Sequence, residues 1–372
     1  MEINDYKLEL VSSNTAPWQP KNEPSRQVAV MMSGGVDSSV TAHLLREAGW
    51  DVLGITMRIP VACQTDKRGC CGADAAYVCG QLNLPHSFVD VTAPFNELII
   101  DRFRAEYRRG RTPNPCVDCN TFLKFMLVWD LVQKELGIEY LATGHYAEIK
   151  QTDHGARLCR GRNHAKDQSY FLYGLPSHRV GHFILPLAEL TKDQTRDIAR
   201  SIGIGVAEKP ESMELCFAGE GDYRDALIDG NQPGDLLDID GKTIGTHKGV
   251  AHYTLGQRRG LGYAAGDPVY VARIDAEANT VTLGTREQIS YHTIGAGDVN
   301  VLIGEQFCSG QALLGKLRSY GPPHPCEIIA TDDKGFTVRF EKPQFAPCPG
   351  QKLVLYNDAD ELVCGGTIET FQ

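Results

Sequence analysis

The chain has 372 residues, 42% of them hydrophobic and 23% charged, with a formal net charge of −10. That length predicts two or three domains, each large enough for its own core. No apolar run approaches the roughly 18 residues of a membrane span, and the acidic balance argues against a nucleic-acid partner gripped over the whole surface.

Residues 1–26 hold Pro17, Pro20 and Pro24 among polar residues and no apolar leader core. They read as a flexible tail and not as a secretion signal. Twelve cysteines without such a leader fit reduced thiols in the cytoplasm. Residues 27–219 then alternate two kinds of signal. Val28–Met32, Val52–Met57, Ser87–Val91 and Tyr140–Thr143 read as short buried strands, with helical spacing over 38–48, 73–82, 95–108 and 121–136. In the last of these, Phe122, Phe125, Met126, Trp129 and Val132 form an apolar stripe that reads as core. This alternation predicts an α/β domain with a parallel sheet covered on both faces, and ligands at the carboxyl ends of its strands.

From about residue 220 the helical spacing thins. Residues 220–294 predict a small central β-rich domain. It would hold one hairpin from Leu236–Asp240 and Thr243–Thr246, and another from Val269–Ile274 and Thr280–Leu283. Residues 295–372 predict a C-terminal β-barrel with strands at Val299–Ile303, Leu313–Leu317, Glu327–Thr331, Phe336–Phe340 and Lys352–Tyr356.

The most informative motif is Met32-Ser33-Gly34-Gly35-Val36-Asp37-Ser38-Ser39, between the first buried strand and the helix after it. Gly34 and Gly35 let backbone N–H groups converge on an anion, and the helix start adds partial positive charge. Ser38 and Ser39 supply hydroxyls, and Asp37 suits a metal-bound phosphate. No lysine follows the glycines, so this is not the GxxxxGK[ST] cradle. It resembles the SGGxDS pyrophosphate loop of enzymes that split ATP between its α and β phosphates. The plain alternative is a Gly turn with an Asp/Ser cap.

Thiols form the second cluster. Cys116 and Cys119 follow two stiffening prolines in Pro113-Asn114-Pro115, and Asn120 is placed to cap the next helix. A helix start and the nearby Arg102, Arg104, Arg108, Arg109 and Arg111 predict a lowered thiol pKa there. Those arginines also read as a local basic face or as a solvated, acid-bracketed helix. Cys216 lies far off in a Glu-rich segment, and Cys70 and Cys71 are adjacent. Three uses remain open for the thiols: ligands of zinc or an iron–sulfur cluster, inert packing, or redox sulfur chemistry.

These pieces together resemble the bacterial tRNA-specific 2-thiouridylase (MnmA) family, from about residue 27 onward. The resemblance rests on Ser33–Ser38, Gly69-Cys70-Cys71, Arg111–Pro115 with Cys119-Asn120, Ala142–Tyr146, Lys166–Leu172, Leu215-Cys216-Phe217 and Tyr253–Gly260. It implies an ATP- and Mg²⁺-dependent enzyme that adenylates the C2 oxygen of the wobble uridine and replaces it with sulfur. Its partners would be a tRNA of the Lys, Glu or Gln type and a sulfur donor, either a cysteine desulfurase or a relay protein. Residue by residue, the resemblance implies ATP contacts at Met32 to Ser39, Met57 and Gly144. It implies persulfide at Cys216 and a nucleophile at Cys119, with a Cys119–Cys216 disulfide left to be reduced. It implies RNA or target-base contacts at Asn114, Pro115, Cys116, His145, Lys166, Asp167, Gln168, Arg318, Ser319 and Gln351, and a tRNA-binding barrel. Two departures stand out: Cys116 sits where some members carry Asp, and Met213 replaces a polar residue before Cys216. The alternatives are a small-molecule ligase with the same loop, a non-catalytic RNA-binding protein, and an iron–sulfur form of the thiolation.

Overall fold

In a computed structural model of the chain, the described residues are 6–13, 17–59, 71–209, 215–217, 232–263 and 266–372. The chain divides into two compact units, residues 1–98 with 116–220 and residues 99–115 with 221–372. No helix among the described residues is long and apolar enough to cross a membrane.

The first unit is built on a six-stranded sheet. Its strands are β1 (Leu10–Ser12), β2 (Gln27–Met31), β3 (Asp51–Arg58), β4 (His86–Asp90), β5 (Tyr140–Ala142) and β8 (Phe183–Ile184), in the order β1-β4-β3-β2-β5-β8. All pairs are parallel except the edge pair β1–β4. Every residue of β2 is buried, as a central strand covered on both faces requires. Val28, Val30 and Met32 share a core with α1 (Val36–Glu47), α2 (Cys71–Gln81) and α7 (Lys192–Ser201). The alternate residues Ala29, Leu53 and Ile55 are buried on the other face.

The expected α/β alternation is present, and three features depart from it. Residues 10–12 of the expected flexible tail form β1, where Ser13 donates its backbone N–H to His86 at 2.9 Å. A short edge strand needs so few residues that its sequence signal is lost among prolines. A hairpin of β6 (Ala147–Thr152) and β7 (Gly155–Arg160), strand β8 and helix α7 are not legible from the strong apolar spacing used above. Finally, the third and fourth helices are not plain α-helices. The third runs from α3 (Thr92–Phe95) through a π-helical stretch, Asn96–Asp101, into α4 (Arg102–Arg108). The fourth runs from α5 (Pro115–Asp118) through π-helical Cys119–Val128 into α6 (Trp129–Leu136). Its stripe is core as expected: Phe125 and Trp129 pack on Phe183 of β8 at 5.3 and 6.0 Å.

The second unit carries two β structures. Strands β9 (Gly234–Leu237), β10 (Thr243–His247), β11 (Tyr270–Asp275) and β12 (Thr280–Gly284) make a sheet ordered β10-β9-β12-β11. The two expected hairpins are its antiparallel outer pairs, joined by a parallel β9–β12 contact. Six further strands close into a barrel. They are β13 (Ser290–Val301), β14 (Ala312–Lys316), β15 (His324–Thr331), β16 (Gly335–Phe345), β17 (Lys352–Tyr356) and β18 (Leu362–Phe371). Ile294, Ile328, Val338, Phe340, Leu353, Val363 and Ile368 fill the interior. Gly315 is required there, because a Cβ would stand 2.6 Å from the Phe340 ring.

Candidate functional site

Strand β2 pairs with β3 on one side and β5 on the other, so chain direction across the sheet reverses between β2 and β5. A crevice opens at such a switch point, outside the carboxyl ends of the strands. The Ser33–Ser39 loop leaves β2 at this end. Gly34 has φ +69°, which a side chain would oppose, and Gly35 is the N-cap of α1. No side chain caps α1, so its first turn of N–H groups stays available to an anion.

The loop serines do a different job from the one expected. Ser38 Oγ accepts from the Ser33 N–H at 3.2 Å and donates to the Gly35 carbonyl at 3.2 Å; Ser39 Oγ donates to the same carbonyl at 2.8 Å. Both are nearly or fully buried, so they brace the turn. Asp37 is no cap either. Lys192 Nζ, on the first turn of α7, donates to both its oxygens at 2.8 Å, and the Tyr146 hydroxyl donates to Oδ1 at 2.8 Å. Lys209 Nζ donates to the Gly34 carbonyl at 3.1 Å and to Asp74 at 2.6 Å. The cations absent from the motif therefore arrive from residues 192 and 209. Lys192 is held by a capped helix start, Thr191 and Gln194 forming a complete capping box. No local pattern near the glycines announces either lysine.

Other expected ATP positions border the same end of the sheet. Met32 is buried, and its carbonyl accepts from Thr56 Oγ1 at 2.8 Å; Met57 is half-buried near the end of β3. Gly144 follows β5 and abuts the start of α1. A Cβ there would stand 2.8 Å from both the Asp37 carbonyl carbon and the Ser38 nitrogen. Only glycine lets the segment after β5 pass this close to the loop.

His145, beside Gly144, lies within the field of Lys124. Burial and the charge of Lys124 push its pKa down to about 3, and its Nδ1 lies 2.7 Å from Thr143 Oγ1. The same lysine acts on Cys116 and Cys119. Lys124 thus lies within electrostatic reach of His145, Cys116 and Cys119, and Asp118 within reach of both thiols.

The expected lowered thiol pKa is corrected here. Burial by the surrounding protein raises Cys119, and it pushes Cys116 up to about 11, although part of the Cys116 side chain reaches the surface. Asp118 adds to the rise in both, and Lys124 opposes it. Desolvation of the thiolate outweighs the opposing charge of Lys124. The arginines expected to assist are engaged elsewhere. Arg111 pairs with Glu106 at 2.6 Å and grips Glu369 at 2.5 and 2.8 Å, Arg109 pairs with Glu106 and Arg102 with Asp298. Asn120 is no cap: it is buried inside the helix, donating from Nδ2 to the Phe171 carbonyl at 3.0 Å.

Cys216 is exposed, and Phe217 next to it packs on Phe95 of α3 at 6.3 Å. Cys119 and Cys216 carry thiols and are not joined as a disulfide. Cys70 and Met213 lie outside the described residues, as does the side chain of Cys71. Among the described residues no group of three His, Cys, Asp or Glu side chains is arranged to hold a metal ion.

The expected RNA contacts divide into two kinds. Lys166 is exposed and Gln168 half-buried, with Gln168 Oε1 accepting from the Tyr146 N–H at 3.0 Å. Asp167 is a correction: its carboxylate is wholly buried, accepting from Gly161 N at 3.1 Å, Ser169 N at 3.0 Å and Arg160 Nε at 3.4 Å. It organises the turn and has no surface to offer RNA. In the second unit, Gln351 is also committed inward. Its Nε2 donates to the Thr112 and Pro113 carbonyls at 3.1 and 3.2 Å, and Asn114 lies 3.5 Å from its Oε1. Gln351 therefore shapes the segment leading to buried Pro115. Arg318 lines a cavity of about 650 Å³ with Arg286, Lys316, Lys342, His292 and Tyr320. Ser319 beside it is half-buried.

A glycine phosphate loop at the switch point of a parallel sheet, followed in the chain by a β sheet and a closed barrel, defines a pyrophosphate-loop protein with β appendages. Residues 26–220 match the family model described as the tRNA methyl transferase HUP domain. Residues 227–285 match its PRC-barrel domain, and residues 292–368 the aminomethyltransferase beta-barrel domain. The tRNA-specific 2-thiouridylase MnmA 1 of Syntrophus aciditrophicus is 41% identical over 351 residues, covering 92% of this chain and 93% of the relative. The MnmA of Desulforamulus reducens is 40% identical over 358 residues, covering 92% and 97%. That of Xanthobacter autotrophicus is 41% identical over 364 residues, covering 92% and 93%. The chain belongs to the MnmA family of tRNA-specific 2-thiouridylases.

Proposed function

We propose that this protein is a cytoplasmic tRNA 2-thiouridylase that activates the C2 oxygen of the wobble uridine with ATP and replaces it with sulfur. The observation that carries the reading is one end of one sheet. There the loop after β2 offers an anion site beside Asp37 and Lys192, and Lys124 acts both on His145, in the segment after β5, and on the cluster of Cys116 and Cys119. Relatives named for thiolation agree with a site that pairs a nucleotide loop with thiols. The domain descriptions that mention methyl transfer do not account for either part.

A uracil oxygen leaves poorly, and AMP carried on it makes a good leaving group. The first-turn N–H groups of α1 would bind the departing phosphates, and Lys192 would neutralise part of their charge. Asp37 is the carboxylate that would hold Mg²⁺ together with phosphate oxygens, a ligand set this ion commonly takes. When bound, Mg²⁺ supplies further charge neutralisation on the phosphates. Cys216 would carry the donor's sulfur as a persulfide. Attack by the Cys119 thiolate on the inner sulfur forms a Cys119–Cys216 disulfide and releases hydrosulfide. Hydrosulfide attacks C2 of the adenylated uridine, AMP leaves, and a thiol reductant returns two electrons to the disulfide. Gly144, Met57 and Met32 would border the nucleotide. Asn114, Cys116, Lys166 and Gln168, with Arg318 and Ser319, would border the RNA.

The test is reconstitution with ATP, Mg²⁺, a cysteine desulfurase with cysteine, and unmodified wobble-uridine tRNA of the Lys, Glu or Gln type. The reading expects 2-thiouridine, AMP and pyrophosphate in equal amounts. It expects no 2-thiouridine from Cys119→Ser or Cys216→Ser. ATP cleavage to ADP, or full thiolation by either variant, would refute it. ATP cleavage stimulated by a carboxylate metabolite and not by tRNA would favour a ligase.

A further inference from the structure

Lys124 is not part of any nucleotide or RNA pattern read from the sequence, yet it sits among the site's thiols. Its position follows from the winding of its helix. In an α-helix a residue five positions on lies about 140° round the axis, on a different face. Here Cys119–Val128 is π-helical, so hydrogen bonds close over five residues and Lys124 lies a little over one turn beyond Cys119. The lysine is held there. Asn120 is buried, its Nδ2 committed to the Phe171 carbonyl at 3.0 Å. Its Oδ1 is thereby turned to accept from Lys124 Nζ at 2.7 Å. Phe171 belongs to the short 3₁₀ helix Ser169–Leu172, so a second element of the fold fixes the ammonium.

We propose that Lys124 is the positioning residue for sulfur chemistry at Cys119, its ammonium holding negative charge on that sulfur inside a buried site. Among the described residues, Lys124, Asp118 and Cys116 are the groups that act electrostatically on Cys119. Cys116 and Asp118 on its own helix disfavour a second negative charge. Among the described residues, Lys124 is the cation that acts in the opposite direction. An exposed thiol would need no such help. A half-buried one does, because desolvation penalises the thiolate. The π-helical stretch then has a function: α-helical winding would carry the ammonium round to another face. This inference deepens the reading of Cys119 as a nucleophile and rests on it for its purpose, but not for its measurement.

The experiment uses the full chain in a Cys116→Ser background, with Lys124 intact or changed to Met, Gln or Arg. The rate of iodoacetamide alkylation of Cys119 is followed from pH 6 to 10 by peptide mass spectrometry. Iodoacetamide traps only the thiolate, forming a thioether and releasing iodide. Lys124→Met and Lys124→Gln should make the reaction roughly tenfold slower at pH 8, where the rate tracks the thiolate fraction. Lys124→Arg should stay within about threefold of the parent, because it keeps the charge. Profiles of Lys124→Met or Lys124→Gln that superimpose on the parent would overturn the proposal. So would an Arg variant as slow as the neutral ones, since that would mark a packing role. If Lys124→Met does not fold, the near-isosteric Gln variant carries the test. Should the unchanged protein make no 2-thiouridine, the proposed function fails while the alkylation profiles still decide the role of Lys124.

Discussion

Replacing Gly144 by Ala tests the geometry that joins β5 to the nucleotide loop. The added methyl would stand 2.8 Å from two backbone atoms, the Asp37 carbonyl carbon and the Ser38 nitrogen, and 2.9 Å from Asp37 Cβ. None of these is the free end of a side chain, so the loop or the Thr143–His145 segment has to shift by several tenths of an ångström. Overpacking of this kind typically costs about 1–3 kcal/mol. If the segment holds its place, the cost falls on stability and lowers the urea midpoint. If the loop yields, the same 1–3 kcal/mol falls on ATP, which is about 5- to 150-fold in affinity. The two readouts are urea unfolding and ATP titration of the same preparation, and their losses should together reach that range. Gly80→Ala is the control: it lies within α2 with nothing within 4 Å of the new methyl. It should leave ATP use unchanged and stabilise by up to about 1 kcal/mol. A Gly144→Ala protein with the parent's stability and the parent's ATP affinity would refute the close approach of β5 to the loop.

Three further outcomes follow from the site and its surroundings. Lys192→Met removes the ammonium that bridges both Asp37 oxygens, so kcat/KM for ATP should fall by about 10²-fold, with partial recovery in Lys192→Arg; an unchanged value would show that Lys192 only braces Asp37. Asp167→Ala removes the carboxylate that pairs with buried Arg160 and accepts from two backbone N–H groups, and should cost about 3–5 kcal/mol in denaturant unfolding. Weaker tRNA binding with stability intact would restore the direct RNA contact that burial argues against. His86 is buried with its ring nitrogens bonded to the Ser13 and Thr56 hydroxyls, and burial and Arg58 push it down to about 4. Its folded pKa lies below the unfolded value of about 6.5, so the unfolded chain binds the extra proton first between those values. Stability should therefore fall as pH drops from about 6.5 to about 4, by up to about 3 kcal/mol from this residue. His86→Gln should unfold with a flatter pH dependence over that window, and parallel curves would exclude His86 as the source.

What the sequence determined alone is what depends on near neighbours. A fully apolar Val28–Met32 run, two glycines and an apolar helix predict strand, turn and helix, because each signal is complete within a few residues. The helical stripe ending at Val132 and the two hairpins of the central sheet are legible for the same reason. The family resemblance likewise rested on short blocks, each read in place. Only the tertiary structure decided which charges meet the loop. Lys192 and Lys209 lie more than 150 residues beyond Asp37 and Gly34, and nothing in the motif requires them. It decided that the Asp167 and Gln351 side chains turn inward, since a polar side chain in a turn reads the same whether it faces water or backbone. And it decided the chemistry of the thiols. A helix start predicts an acidic thiol from local dipoles, but burial by distant parts of the chain reverses that sign, and a π-helical stretch sets where the answering lysine stands. Desolvation depends on everything packed around a group, and no stretch of sequence contains it.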